Sequence, residues 1–236
     1  MKHFFSILYP RINFFSKQSA LALMISFAFC SPDSDKISNE KNKVENPNKN
    51  VKIIFFGDSL TAGLGLSHPD DAFPALIGKK LQKDGLKNFE IINAGVSGDT
   101  TSGGLARIEW TISRGVDVFI LELGANDCSM GKDPDLIEHN LTKIIQMVKG
   151  KNPKAKILLV KMKAFPNMGE KYTKRFERIY ENISRKENVS LSPFLLIDVA
   201  GIQELNQLDG IHPTEKGHEI MAENIYASVK ELTTKL

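Results

Sequence analysis

The chain has 236 residues, 42% of them hydrophobic and 25% charged, which excludes a fibrous or wholly disordered protein and suits one compact domain with an appendage. The formal charge is +3, but Lys2, Arg11 and Lys17 are the only Lys, Arg, Asp or Glu among the first 30 residues, and without them basic and acidic side chains number 28 each. That balance lacks the basic footprint that phosphate-backbone binding needs, so no nucleic-acid partner is expected. Two cysteines, Cys30 and Cys128, are too few for a disulfide scaffold in a chain of this size.

Residues 1–30 have the shape of a signal peptide: three positive charges and no acids up to Lys17, then an uncharged, mostly apolar run from Gln18 to Phe29. The run is shorter than the roughly 20 residues a membrane-spanning helix requires, which favours export over a lasting transmembrane anchor. Cys30 ends the run and is followed abruptly by Ser31-Pro32-Asp33-Ser34-Asp35, a boundary that resembles a bacterial lipoprotein signal. The resemblance implies acyl chains on Cys30 and a membrane tether facing the periplasm or the cell surface. Phe29 departs from it, because small residues normally precede the lipidated cysteine, so simple cleavage and an uncleaved leader stay open. Residues 31–50 contain only Ile37 and Val44 as apolar side chains and are expected to form a disordered linker.

From Val51 to the end at Leu236, a catalytic domain is expected, with short apolar runs alternating with amphipathic stretches in the manner of βαβ units and a parallel sheet. Strands are expected at Val51–Phe56, Glu90–Asn93, Val116–Leu123, Ala155–Met162 and, weakly, near Val189–Leu191. Helices are expected at Ala72–Asp84, Thr101–Ser113, Pro134–Lys149, Glu170–Lys186 and Glu215–Leu232, with Pro134 suited to a first helical turn. Ligands of such sheets bind beyond the carboxyl ends of the strands, where this chain places Gly57-Asp58-Ser59, Asn93 to Thr100, and Gly124-Ala125-Asn126-Asp127. A fourth polar turn, Asp209-Gly210-Ile211-His212-Pro213, precedes the last helix.

A serine hydroxyl becomes a nucleophile only beside a base that is itself oriented by a third group. Ser59 follows a strand at a glycine-bearing turn, and His212 has Asp209 three residues earlier to accept its Nδ1 proton, leaving Nε2 for Ser59. Acyl transfer also needs donors for the oxyanion, for which Gly98 and the neutral amide of Asn126 qualify. His3, His68, His139 and His218 lack a comparable partner in the sequence, and Cys128 is expected to be a small residue packed in a loop. Lys161 and Lys163, at the end of the fourth strand, read either as solvated charges or as contacts for a phosphate or carboxylate. No cluster with zinc-like spacing occurs, and neither metal nor other cofactor is implied.

The strings GDSLTAG, NAGVSGDT, GAND and DGIHP, in that order between Val51 and Leu232, resemble the GDSL branch of the SGNH hydrolases. Within it they are most similar to the thioesterase I, lysophospholipase and arylesterase group, which also shares an ELG-x-ND run and a stretch like Pro193 to Gly201. The resemblance implies a three-layer α/β/α sandwich around a central parallel, flavodoxin-like sheet. It implies a serine esterase acting on ester or thioester bonds: Ser59 as nucleophile and backbone donor, Gly98 and Asn126 completing the oxyanion hole, His212 as general base and acid, and Asp209 orienting it. Cys128-Ser129-Met130-Gly131 departs from the group's usual glycine and Leu-Arg pair, which puts the acyl-chain preference in doubt. A classical α/β-hydrolase is not expected, because Gly95-Val96-Ser97-Gly98-Asp99 places the second glycine of Gly-x-Ser-x-Gly one residue early. A carbohydrate O-acetyl esterase and a lipid-anchored binding protein on a degenerate scaffold are the remaining alternatives.

Overall fold

The computed structural model describes residues 50–236; the signal peptide, Cys30 and nearly all of the expected linker lie outside the described residues. The domain is built on five parallel strands, β1 (Val51–Gly57), β2 (Phe89–Gly95), β3 (Val118–Glu122), β4 (Lys156–Lys161) and β5 (Ser190–Phe194), in the order β2-β1-β3-β4-β5. This is the flavodoxin-like order the sequence implies. In β1, Ile53, Ile54, Phe55 and Phe56 are all buried, and β3 is buried along its whole length. Continuous apolar runs of this kind belong to strands covered on both faces, and each such side chain contributes about 1.5–3 kcal/mol by leaving water.

Seven helices accompany the sheet: α1 (Ser59–Ala62), α2 (Phe73–Lys83), α3 (Thr101–Thr111), α4 (Ala125–Ser129), α5 (Pro134–Lys151), α6 (Glu170–Glu187) and α7 (Glu215–Thr234). Helices α2 and α7 pack on each other, and α5 packs on both α3 and α6, which makes the two outer layers. Their starts are written in the sequence: Thr100 caps α3 at the Gly103 N–H, Asp133 caps α5 at Asp135, and Pro134 opens α5.

The structure corrects the sequence expectations at the fifth strand and at two short helices. The fifth strand runs on through Pro193 to Phe194, because it is an edge strand and an edge tolerates a residue without an N–H. Helices α1 and α4 were not expected, since four or five residues carry no readable periodicity; Cys128, expected in a loop, is buried in α4. His218, which as expected has no orienting carboxylate on its Nδ1, is structural instead: Nδ1 accepts the Phe73 N–H at 3.2 Å, and its ring lies on the Phe73 ring with centroids 6.2 Å apart. It closes the first turn of α2, which has no side-chain cap of its own.

Burial pushes His218 down to about 4 from an ordinary 6.5, so the folded state holds the ring neutral where the unfolded chain protonates it. The stability it contributes is complete above pH 6.5 and is lost progressively as pH falls toward 4. The advantage of wild type over His218→Gln is therefore expected to shrink by about 2 kcal/mol between pH 7 and pH 5. Chemical denaturation at the two pH values measures it, and a constant difference contradicts it.

Candidate active site

Strand β1 ends at Gly57, where a Cβ would stand 2.1 Å from Thr61 Oγ1 and 2.5 Å from Glu122 Oε2, so only glycine fits. Asp58 follows, almost fully buried; its Oδ1 accepts the Leu60 N–H at 3.0 Å and caps α1. That cap fixes Ser59 as the first residue of α1. Ser59 Oγ stands 2.9 Å from His212 Nε2, and His212 Nδ1 stands 2.6 Å from Asp209 Oδ2. Nδ1 donates to the carboxylate, which leaves Nε2 as the acceptor for the serine hydroxyl.

Asp209 and His212 occupy one self-braced turn. Asp209 Oδ1 accepts the N–H groups of Ile211 at 2.9 Å and His212 at 3.0 Å, Gly210 supplies a φ of 69°, and the Gln207 N–H donates to the His212 carbonyl at 2.7 Å. The hydrogen bond from His212 and the two backbone N–H groups hold the Asp209 carboxyl well below the usual carboxylate range. Asp209 is thus held as an anion beside the His212 ring.

Asn126, in the first turn of α4, meets this group through Asp58. Its Nδ2 donates to Asp58 Oδ2 at 3.1 Å and to the Asp99 carbonyl at 3.0 Å. Both neighbours are acceptors, so the amide nitrogen must face them. Gly98 immediately precedes Asp99 in a turn closed by the Asp99 N–H on the Val96 carbonyl; its φ of 80° suits glycine there. The strand order brings these loops together, since the chain leaves β1 for β2 and returns to β3, opening a crevice between β1 and β3.

Sequence reasoning missed three supporting side chains. Arg107 donates from Nε to Asp99 at 2.7 Å and from its two terminal nitrogens to the carbonyls of Ala94 and Gly57, each at 2.9 Å, while its guanidinium lies 3.8 Å from the Phe56 ring centroid. Asp127 accepts the Thr101 N–H at 2.8 Å and hydroxyl at 2.7 Å, fixing the start of α3. Glu122 is wholly buried: its Oε2 accepts from Thr61 Oγ1 at 2.7 Å and the Asp58 N–H at 3.3 Å, while Oε1 has no partner. Burial, reinforced by the neighbouring Asp58 charge, raises the Glu122 carboxyl well above its ordinary range, and burial also lifts Asp58 to about 6. An acid among apolar residues at a strand's end was the available signal for Glu122; Arg107 gave none.

A cavity of about 350 Å³ opens on Ser59, Asn126 and His212, walled by Leu60, Met162, Phe165, Phe194, Leu196 and Ile211. Lys163 also lines it, its Nζ 5.2 Å from the Phe194 ring centroid, whereas Lys161 turns away to Glu181 at 2.5 Å. Among the described residues no group of three or more His, Cys, Asp or Glu side chains could hold a metal ion. The arrangement is a hydroxyl with an oriented base, beside amide donors and an apolar receptacle: the equipment of acyl transfer.

Comparison with known proteins agrees with this chemistry. The family model described as GDSL-like Lipase/Acylhydrolase family matches residues 55–220. Esterase TesA of Pseudomonas aeruginosa is 34% identical over 76% of this chain and 88% of its own length. Thioesterase 1/protease 1/lysophospholipase L1 of Escherichia coli K12 is 34% identical over 72% of this chain and 79% of its own. The crystal structure of AlinE4, an SGNH-hydrolase family esterase, superposes with a TM-score of 0.64 at 38% identity, covering 80% of this chain and 97% of that one.

Glu122→Gln, which can still accept from Thr61 and Asp58, is expected to keep turnover within about threefold of wild type. Glu122→Leu strands both donors and is expected to cost about 1–3 kcal/mol of stability together with a fall in kcat. Denaturant midpoints and ester kinetics on the two variants check this; equal impairment would mean that the charge of the carboxyl matters.

Proposed function

This chain belongs to the GDSL-like lipase/acylhydrolase family and is a serine esterase with the SGNH hydrolase fold, and from that premise we propose that Ser59, His212 and Asp209 cleave acyl esters or thioesters through an acyl-enzyme. The observation that carries the reading is the relay from Ser59 Oγ to His212 Nε2 at 2.9 Å and from His212 Nδ1 to Asp209 at 2.6 Å, opening on an apolar cavity. Ser59 Oγ attacks the acyl carbon as its proton passes to His212 Nε2. His212 then protonates the leaving alcohol or thiol as the carbonyl–heteroatom bond breaks. Water, deprotonated by the same imidazole, releases the acid and restores Ser59.

The oxyanion is received by the N–H groups of Ser59 and Gly98 and by Asn126 Nδ2. In the resting site both protons of the Asn126 amide are engaged by Asp58 and Asp99, so the oxyanion shares or displaces one of these acceptors. The apolar wall supports acyl groups longer than acetyl over an acetylated sugar. Export behind residues 1–30 and anchoring through acylated Cys30 complete the reading, with residues 31–50 as the tether to a domain spanning 51–236.

Ser59→Ala is expected to lose at least about 10³-fold in p-nitrophenyl ester turnover, and Asn126→Ala about 10²- to 10³-fold in kcat. Undiminished rates in Ser59→Ala overturn the mechanism. A panel of acyl lengths, thioesters, lysophospholipids and acetylated sugars tests the substrate class, and exclusive use of the sugars would reverse it. Mass spectrometry of the mature N-terminus reads the anchor directly: an unmodified Cys30 removes it.

A further inference from the structure

Among the described residues ten large apolar side chains are exposed; Trp110, Leu136, Ile197 and Leu236 are four of them, and the other six share one end of the sheet. Leu64, Val96, Met130, Ile202, Leu208 and Ile211 all lie in segments beyond the carboxyl ends of β1, β2, β3 and β5. They also adjoin one another through bonded neighbours. Gln207 Nε2 donates to the Leu64 carbonyl at 2.8 Å, and Gln207 shares a groove with Ile202 and Leu208. Ile211 and Ser129, the residue before Met130, line the catalytic cavity. Val96 opens the turn whose Asp99 carbonyl receives Asn126. Leu208 is wholly exposed. Apolar groups gathered on the loops beside the mouth of the catalytic cavity mark an interaction surface rather than the single exposed residues any protein carries.

We propose that this rim rests on a phospholipid bilayer and seats the mouth of the catalytic cavity against it, so that amphiphilic esters reach Ser59 from the membrane. The proposal rests on the esterase reading and on export with a tether at Cys30. The chain enters the domain at Val51, at the far end of β1 from the rim, and β1 is about 23 Å long. Twenty residues separate Cys30 from Val51 and reach about 70 Å when extended. An anchored chain therefore has length enough to turn the rim toward the lipid. The rim fits a lipid surface better than a protein partner, because its apolar groups come from four separate loops at the end of the sheet where the cavity admits substrate.

Trp110, the only tryptophan, is exposed near the end of α3, about ten residues beyond that helix's start at the rim. It is a built-in control. The full chain is mixed with phosphatidylcholine vesicles, with and without bromine on the acyl chains, in its native form and as Trp110→Phe/Leu208→Trp. Brominated lipid is expected to reduce the emission of the tryptophan at position 208 by about half and to leave Trp110 of the native chain unchanged. In parallel, Leu208→Asp is expected to hydrolyse a soluble short-chain p-nitrophenyl ester within about twofold of wild type and a vesicle-embedded lysophospholipid at least about fivefold more slowly. No quenching at position 208, as docking on a protein would give, overturns the proposal, as does equal quenching at both positions. Equal effects of Leu208→Asp on the two substrates overturn it as well. Ser59→Ala should be quenched at position 208 like its parent while losing turnover, so failure of the esterase reading is seen separately in the soluble assay.

Discussion

The active site depends on a carboxylate that has almost no contact with water. Asp58 directs one oxygen to the Leu60 N–H, which fixes the helix carrying Ser59, and the other to the amide of Asn126. Its own N–H leans on Glu122. One side chain thus sets the relative position of Ser59 and the Asn126 amide, 67 residues apart in the chain, and a shift in it would disturb both. Burial makes this anchor costly to keep ionised, which is why its carboxyl rises to about 6. In stability that rise opposes the effect of His218. As pH falls from 6 toward 3.8, the folded state takes up the Asp58 proton before the unfolded chain does and gains, while over a similar window the unfolded chain takes up a proton at His218 that the folded state does not, which costs the folded state.

Rigid backbone around the anchor comes from close packing at the strand ends. Neither Gly57 nor Gly95 has room for a Cβ, the second because the backbone of Ala62 would lie 2.2 Å away. Arg107 then ties the carbonyls that end β1 and β2 to the Asp99 carboxylate. Loops that must present reactive groups are held by half-buried, charge-assisted bonds.

Much of this was legible in the residues. The runs Val51–Phe56 and Val116–Leu123 announced central buried strands because parallel sheets need apolar groups on both faces, and the spacing of Asp209 and His212 announced that their side chains meet because a turn of this length brings them together. Boundaries were less legible: the expected third and fourth strands each ran past the ladder at both ends, where side chains remain apolar after pairing stops. Hidden altogether were contacts between side chains distant in sequence. Nothing in the pattern around Arg107, Glu122 or His218 tells which backbone group each will meet, since those meetings follow from strand order and helix packing rather than from local periodicity.

The turn holding Asp209 and His212 has a mechanical corollary. Asp209 and His212 stand three positions apart and are braced by their own backbone, so the pair travels as one piece if the loop shifts. Of the two contacts in the relay, only the gap to Ser59 spans separate parts of the chain. Loop motion therefore acts on the relay along a single coordinate, like a switch contact opening and closing, and the imidazole keeps its tautomer whichever way the switch stands.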